Sequence, residues 1–119
     1  MKIAFYTLGC KTNQYETQAM ERLLVDMGHS IGTFDESCDA YVINTCSVTA
    51  VADKKNRAII RRCRRDNPEA VIGVCGCYSQ HDAEAVRNLG ADVIGGSGQR
   101  QQFIGLLLEA AATKQKQNF

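Results

Sequence analysis

Cysteine is the residue type in this 119-residue chain with the most chemistry open to it. Three of the six cysteines, Cys10, Cys46 and Cys77, each follow a short apolar run and precede a segment with helical signals. A disulfide framework would fit a small secreted fold with a weak core. This chain is 45% hydrophobic, its first residues are not expected to form a signal peptide, and no run approaches the roughly 18 apolar residues of a membrane span. We therefore expect a cytoplasmic domain without membrane contact, whose cysteines are buried thiols, metal ligands or reactive thiols.

Five short apolar runs predict the strands that would position these cysteines. They are mostly continuous rather than alternating, which is typical of parallel strands buried on both faces. The runs are 2–7, 30–34, 41–44, 71–75 and 92–94, and the predicted helices are 14–27, 48–65, 80–89 and 101–112. Their order, βαββαβαβα, predicts a three-layer α/β fold with a five-stranded, mostly parallel sheet flanked by helices, in the flavodoxin-like order 2-1-3-4-5. We assign residues 1–112 to this domain and the polar residues 113–119 to a tail or linker.

Local signals indicate where the helices begin and end. Asn13, with Glu16 three residues later, has the form of a capping box at the start of the first helix. Gly28 and Gly90 stand where a helix should stop. The apolar stripe predicted for the first helix consists of Ala19, Met20, Leu23 and Met27.

The three strand-end cysteines would lie on one edge of a parallel sheet, although they are far apart in sequence. A helix amino terminus carries partial positive charge and free N–H groups, which lower the pKa of a thiol and stabilise an anionic cluster. Three thiols at such an edge predict a metal or cluster site, and a zinc site with three thiolates and an open position would use the same residues. The competing interpretation is that all six cysteines are buried core thiols.

The other three cysteines have structural interpretations. On a helical wheel Cys63 is the centre of an apolar arc with Ile59 and Ile60, so we expect it to face the sheet. Cys75 would lie deep in its strand, and Cys38 lies in the short connection between the second and third strands. The roles of Cys38 and Cys75 stay open at this point, and none of the three is preferred as a metal ligand.

The sequence around the three strand-end cysteines resembles a known family. Three blocks carry the resemblance: TLGCKTNQYET at 7–17, NTCSVT at 44–49 and GCYSQ at 76–80. Together they resemble the amino-terminal domain of the radical-SAM methylthiotransferases, over essentially the whole chain. The resemblance implies that Cys10, Cys46 and Cys77 bind a [4Fe–4S] cluster, leaving one iron without a protein ligand to hold exogenous sulfur. The first block is most similar to the branch that methylthiolates N6-threonylcarbamoyladenosine beside the tRNA anticodon.

The same resemblance implies a larger enzyme. In this family the radical chemistry takes place on a second domain with the motif Cys-x-x-x-Cys-x-x-Cys, which binds another [4Fe–4S] cluster and cleaves S-adenosylmethionine. That cysteine spacing does not occur in this chain. The 5′-deoxyadenosyl radical formed there would abstract hydrogen from adenine C2, and sulfur would come from the open iron of the present domain. We therefore expect a radical-SAM domain to follow this chain in the full-length enzyme, tRNA to be the substrate, and no turnover by this chain alone.

Four polar residues near the predicted site have both a structural and a functional interpretation. In the structural interpretation, Asn13 and Asn44 are helix caps or residues that fix loops, and Glu16 is part of the capping box. Lys11 is then an exposed loop residue. In the functional interpretation all four surround the cluster, where Lys11 would stabilise its negative charge or meet RNA phosphate.

Half of the 14 basic residues are concentrated in the second predicted helix. They occupy about half of a helical wheel, opposite the apolar face, and no acidic residue interrupts them. Uncompensated basic density is what phosphate contacts require, so we expect either RNA contact or a solvated charged face. The residues are Lys54, Lys55, Arg57, Arg61, Arg62, Arg64 and Arg65.

A non-catalytic module is the alternative for the whole chain. Flavodoxin-like or cobalamin-binding-like proteins share the expected strand order, but no Gly-x-Gly-x-x-Gly follows the first strand and there is no evident flavin phosphate loop. A zinc-binding module would use the same three cysteines. Such a protein would be colourless, whereas an iron–sulfur protein is brown.

Overall fold

A five-stranded sheet forms the middle layer of the computed structural model, which describes residues 2–7, 11–34, 38–45, 50–68, 70–76, 83–95 and 100–117. The strands are β1 (Lys2–Thr7), β2 (Ser30–Gly32), β3 (Ala40–Thr45), β4 (Val71–Gly76) and β5 (Val93–Ile94). The helices are α1 (Lys11–Asp26), α2 (Ala50–Asp66), α3 (Ala83–Asn88) and α4 (Arg100–Gln117). The predicted element order is confirmed.

The strand order is β2-β1-β3-β4-β5, and every neighbouring pair is parallel. This confirms the predicted flavodoxin-like order. The central strands β3 and β4 are buried along their whole length, which explains the continuous apolar run in each; in β3 this run is followed by the buried polar residues Asn44 and Thr45. In this order the chain crosses from β2 over β1 to β3, and β1 and β3 become direct neighbours.

The core is divided between the two faces of the sheet. Neighbouring residues of one strand point to opposite faces, and Ile3 and Ala4 accordingly belong to different clusters. Ile3 packs with α1 and α4, through side chains that include Met20 and Phe103. Ala4 packs with α2 and α3, through side chains that include Ile60. Helices therefore cover the sheet on both sides, as the three-layer prediction requires.

Two helices end as their glycines predict. Gly28 has φ +92°, its N–H donates to the carbonyl of Val25 at 3.0 Å, and the next N–H donates to Leu24 at 3.0 Å. These bonds form a Schellman motif, in which a left-handed residue closes the last turn. Gly90 ends α3 in the same way with φ +115°.

Three predictions about helix boundaries need correction. Asn13 was expected as a cap, but α1 begins at Lys11, so Asn13 is already helical. Met27 was expected in the apolar stripe, but it is 53% exposed because α1 ends at Asp26 and the helical phase stops there. The last helix was expected to end at 112, but α4 continues to Gln117, so part of the predicted tail is helical.

One arginine joins α2 to the start of β4 and to the turn before β5. The guanidinium of Arg64 donates to the carbonyls of Pro68 and Ala70 at 3.1 and 3.0 Å, and twice to Gly90 at 3.0 and 2.7 Å. It also forms an ion pair with Asp92 at 2.5 Å, and Asp92 accepts the Ile72 N–H at 3.0 Å. This clamp lies at the amino-terminal edge of the sheet.

Among the described residues, no helix combines the length and apolar character needed to cross a bilayer.

Candidate metal centre at the carboxyl ends of the strands

Three strands end side by side at the edge where the sequence predicts the site. Thr7 of β1 pairs with Asn44 of β3, and Thr45 of β3 pairs with Gly76 of β4. Cys46 and Cys77 directly follow the last residues of β3 and β4 in the chain, and Cys10 directly precedes the first residue of α1. The three cysteines themselves lie outside the described residues. Within the described part of the chain, no three His, Cys, Asp or Glu side chains form a group that could hold a metal ion.

A buried hydroxyl of α1 connects the ends of β1 and β3. Thr17 is 6% exposed, and its Oγ1 lies 2.7 Å from Oγ1 of Thr7. The side-chain amide of Asn44, which is fully buried, donates to the same Thr17 oxygen at 3.2 Å. Asn44 therefore has the structural role of fixing the strand end.

The ends of β3 and β4 are joined by a second buried hydroxyl. Thr45 donates from Oγ1 to the carbonyl of Cys75 at 2.7 Å. Gly76 follows with φ +101°, a conformation that favours glycine. A Cβ at this position would press into the Thr45 carbonyl and lie 2.8 Å from Oδ1 of Asn44. β4 thus ends at a position where a side chain does not fit.

The sequence patterns alone assign no role to Thr7, Thr17 or Thr45. Thr17 is three residues before Met20 and seven before Leu24, both of which are buried in the α1 face toward the sheet. A hydroxyl residue on an otherwise apolar stripe is the signal that could have indicated a buried polar contact.

Of the other candidates around the site, Glu16 is half-buried and close enough to interact electrostatically with Cys75. The helix α1 includes Lys11 and Asn13, but their side chains lie outside what the structure describes. The roles of all four polar candidates toward a bound cluster therefore stay predictions, although Asn44 now has identified partners.

Two of the remaining cysteines are core thiols. Cys63 faces the sheet from α2 and is 2% exposed, as its position in the apolar arc predicts. Cys75 is 4% exposed in β4. Burial raises the pKa of each thiol to about 12, and the charge of Glu16 adds to the rise in the pKa of Cys75. Cys38 is half-buried, and its thiol lies 3.8 Å from the carbonyl oxygen of Thr33.

The raised pKa of Cys63 predicts a pH-dependent contribution to stability. Between pH 9 and 12 the unfolded chain loses the Cys63 proton while the folded chain keeps it, so the free energy of unfolding falls as pH rises. We expect the stability difference between the natural chain and Cys63→Ala to shrink across this window. Urea unfolding of both proteins in reductant at pH 8, 9, 10 and 11 measures it. A difference that stays constant over these four points would contradict the prediction.

The basic residues of α2 divide into two groups. Lys54, Lys55, Arg61, Arg62 and Arg65 are exposed and Arg57 is half-buried. Arg62 and Arg65 lie 3.7 and 3.4 Å from Asp66, in contacts open to solvent. Arg64 differs from all of these because its guanidinium is engaged in the clamp with Gly90 and Asp92. We call the other six residues the basic face of α2.

Comparison with protein families identifies the chain's relatives. Residues 2–96 match the family described as the uncharacterized protein family UPF0004. The chain belongs to the UPF0004 family. In this UPF0004 chain, the match includes β1 through β5 and the positions of Cys10, Cys46 and Cys77.

Curated relatives of the UPF0004 chain include several tRNA-modifying enzymes. The threonylcarbamoyladenosine tRNA methylthiotransferase MtaB of Bacillus subtilis is 45% identical over 106 residues, 88% of this chain and 24% of the relative. The protein of the same name from Aquifex aeolicus is 33% identical over 98% of this chain and 28% of its own length. A tRNA-2-methylthio-N(6)-dimethylallyladenosine synthase of Oceanobacillus iheyensis is 33% identical over 74% of this chain. The chain spans about a quarter of the length of the MtaB relatives.

Solved structures share the fold of the UPF0004 chain. A CheY-like response regulator receiver domain from Methanospirillum hungatei superposes with a TM-score of 0.74 at 10% identity, over 98% of this chain and 97% of that one. A putative pilus assembly protein from Burkholderia thailandensis gives 0.71 at 14% identity, over 95% of this chain and 98% of that one. These likenesses show the doubly wound fold alone.

Proposed function

We propose that this chain is the auxiliary [4Fe–4S]-binding, sulfur-supplying domain of an enzyme that methylthiolates C2 of N6-threonylcarbamoyladenosine next to the tRNA anticodon. One observation carries the proposal: β1, β3 and β4 end side by side, and the first cysteine after each of them is Cys10, Cys46 or Cys77. The Bacillus subtilis relative is a threonylcarbamoyladenosine tRNA methylthiotransferase, which supports the choice of nucleoside.

The residues at this edge fit such a cluster. Three cysteines supply three thiolate ligands, and α1 begins directly after Cys10, so its amino terminus offers partial positive charge to an anionic group. Hydroxyl bonds from Thr17 and Thr45 fix the neighbouring strand ends. When bound, the cluster would supply an iron without a protein ligand, at which sulfur is held for transfer.

Other parts of the enzyme, which this chain does not include, would carry out the rest of the reaction. The relatives are about four times as long, which leaves room for a radical-SAM domain with a second [4Fe–4S] cluster and bound S-adenosylmethionine. We propose that this domain follows the chain, that the whole enzyme is cytoplasmic, and that this chain alone does not turn over. The role of the present chain is then to bind the sulfur-carrying group and present it at the sheet edge.

We further propose that the basic face of α2 contacts tRNA phosphates. The helix starts at the cysteine-bearing edge and runs toward the opposite edge, so Lys54 and Arg65 mark a line about 16 Å long. Exposed cations along such a line can neutralise successive phosphates without base recognition. RNA bound here would approach the cluster edge from one side.

Anaerobic reconstitution with iron and sulfide tests the cluster assignment. We expect about four irons per chain and a brown colour for the natural sequence. Alanine at Cys10, Cys46 or Cys77 should remove most of this iron, whereas Cys38→Ala serves as a matched control and should retain it. Iron content, sulfide content and electron paramagnetic resonance after reduction are the measurements.

Two outcomes would overturn the proposal. A natural chain that stays colourless and binds zinc instead would indicate a zinc-binding module. A triple alanine variant of Cys10, Cys46 and Cys77 that keeps its four-iron cluster would show that other residues are the ligands.

A further inference from the structure

We propose that Thr17 is a positioning residue for the cluster, because its single hydroxyl connects the two segments that carry Cys10 and Cys46. This inference rests on the proposed function, since it concerns the same site. It assigns a role to a residue that is not itself a ligand and whose side chain lies on the buried face of α1.

The position of Thr17 in the chain gives the hydroxyl this reach. Thr7 precedes Cys10 by three residues and Thr17 follows it by seven, so the 2.7 Å bond between their Oγ1 atoms closes the segment that contains Cys10. Asn44 precedes Cys46 by two residues, and its amide donates to the same oxygen at 3.2 Å. One oxygen therefore ties both segments to α1.

The third segment is tied to the second by a separate bond. Thr45, directly before Cys46, donates to the carbonyl of Cys75, two residues before Cys77. Side-chain hydrogen bonds thus connect Thr7 to Thr17 and Thr17 to Asn44. Thr45, the next residue after Asn44, extends the connection to β4. These bonds lie at the ends of the three strands that precede the cysteines in the chain.

Burial makes these bonds matter for geometry. Thr17 and Asn44 are 6% and 0% exposed, so water does not freely replace a hydrogen bond lost between them. Outer-shell hydrogen bonds orient metal ligands, and their loss typically costs about 10-fold to 100-fold in metal affinity. Losing the Thr17 hydroxyl should therefore loosen the relative positions of the Cys10 and Cys46 segments.

The test compares Thr17→Val, which keeps the shape and removes the hydroxyl, with Thr17→Ser, which keeps the hydroxyl. Thr33→Val is the control, because it makes the same change at an exposed threonine that takes no part in the bonds joining Thr7, Thr17 and Asn44. Each reconstituted chain is assayed for the rate of iron loss to a chelator, the cluster's reduction potential and its electron paramagnetic resonance spectrum. Thermal unfolding of the cluster-free chains reports stability separately.

We expect Thr17→Val to lose iron faster than the natural chain, by up to about 10-fold because Thr17 bonds to neighbours of the proposed ligands rather than to the ligands themselves, and to change the resonance spectrum. Thr17→Ser should behave like the natural chain, and so should Thr33→Val. If Thr17→Val does not fold, Thr7→Val decides, because it removes one of the two bonds to Thr17 and should give a smaller acceleration in the same direction.

Contrary outcomes are distinct. A Thr17→Val or Thr7→Val chain that holds the cluster with the natural rate, potential and spectrum would overturn the positioning role while leaving the cluster proposal intact. A natural chain that takes up no four-iron cluster would overturn both.

Discussion

Gly76→Ala is expected to destabilise the chain by about 3–5 kcal/mol. Gly76 has φ +101°, so an alanine pays the cost of a left-handed backbone conformation. It also meets the Thr45 carbonyl, which is backbone and cannot rotate away, as well as Oδ1 of Asn44 at 2.8 Å. Relief would require β3 and β4 to separate at their ends. Because small domains have only about 5–15 kcal/mol of stability, this loss is a large share of the total.

A second glycine separates the two costs. Gly28 also has a positive φ, +92°, but nothing lies within 4 Å of the place where a Cβ would stand. Gly28→Ala should therefore cost only the backbone strain, about 1–2 kcal/mol. The difference between the two variants measures the steric part of the Gly76 effect.

Urea unfolding of the cluster-free chains at neutral pH provides these values. Equal losses for Gly76→Ala and Gly28→Ala would show that the end of β4 relaxes without resistance, contrary to the close approach seen at Thr45. We also expect Gly76→Ala to reduce iron uptake after reconstitution, because Gly76 directly precedes Cys77.

Arg64 and the basic face of α2 are expected to respond to substitution in opposite ways. Arg64→Ala removes an ion pair with Asp92 and leaves carbonyls of Ala70 and Gly90 without that donor, so we expect a loss of about 2–4 kcal/mol in unfolding free energy. Arg64→Ala should change tRNA affinity only slightly in the folded chain, because the Arg64 guanidinium already bonds to the protein.

Neutralising the exposed cations should affect RNA binding instead. The triple variant Lys55→Gln, Arg61→Gln and Arg65→Gln changes only exposed side chains, so its stability should stay within about 0.5 kcal/mol of the natural chain. If these residues bind phosphates, the slope of log affinity against log salt should fall by about 2, at roughly 0.7 for each contact to a single strand.

Fluorescence titration of a tRNA at several salt concentrations, with urea unfolding of the same proteins, separates the two effects. An unchanged salt slope in the triple variant would remove the RNA contact from the proposal and leave a solvated helix face. A stable Arg64→Ala chain would show that the clamp is dispensable.

Sequence patterns predicted the architecture well because its causes are regular. Strand order and layers follow from continuous apolar runs alternating with helices, and Gly28 and Gly90 mark helix ends by a conformation that few other residues adopt. The helical wheel also placed Cys63 in the core. These features depend on short-range patterns that repeat along the chain.

The residues whose surroundings were predicted wrongly have long side chains or lie at the end of a helix. A wheel gives the direction of Cβ, so it grouped Arg64 with its exposed neighbours, although the long side chain reaches back to Gly90. Met27 was misplaced because no wheel applies after Asp26. The hydroxyl of Thr17 meets Asn44 only through the pairing of distant segments, which one sequence cannot reveal.

The parallel register has a consequence for how the site is assembled. Ile3 pairs with Ala40 and Ala40 pairs with Val71, so each neighbouring strand is separated from the previous one by a long intervening segment. Such nonlocal pairings form slowly compared with local ones. During synthesis the thiols of Cys10 and Cys46 therefore leave the ribosome well before β4 exists to complete the edge. If Cys10, Cys46 and Cys77 hold the proposed cluster, iron and sulfide delivered at that stage would meet an incomplete ligand set, and cluster loading should follow folding of this chain.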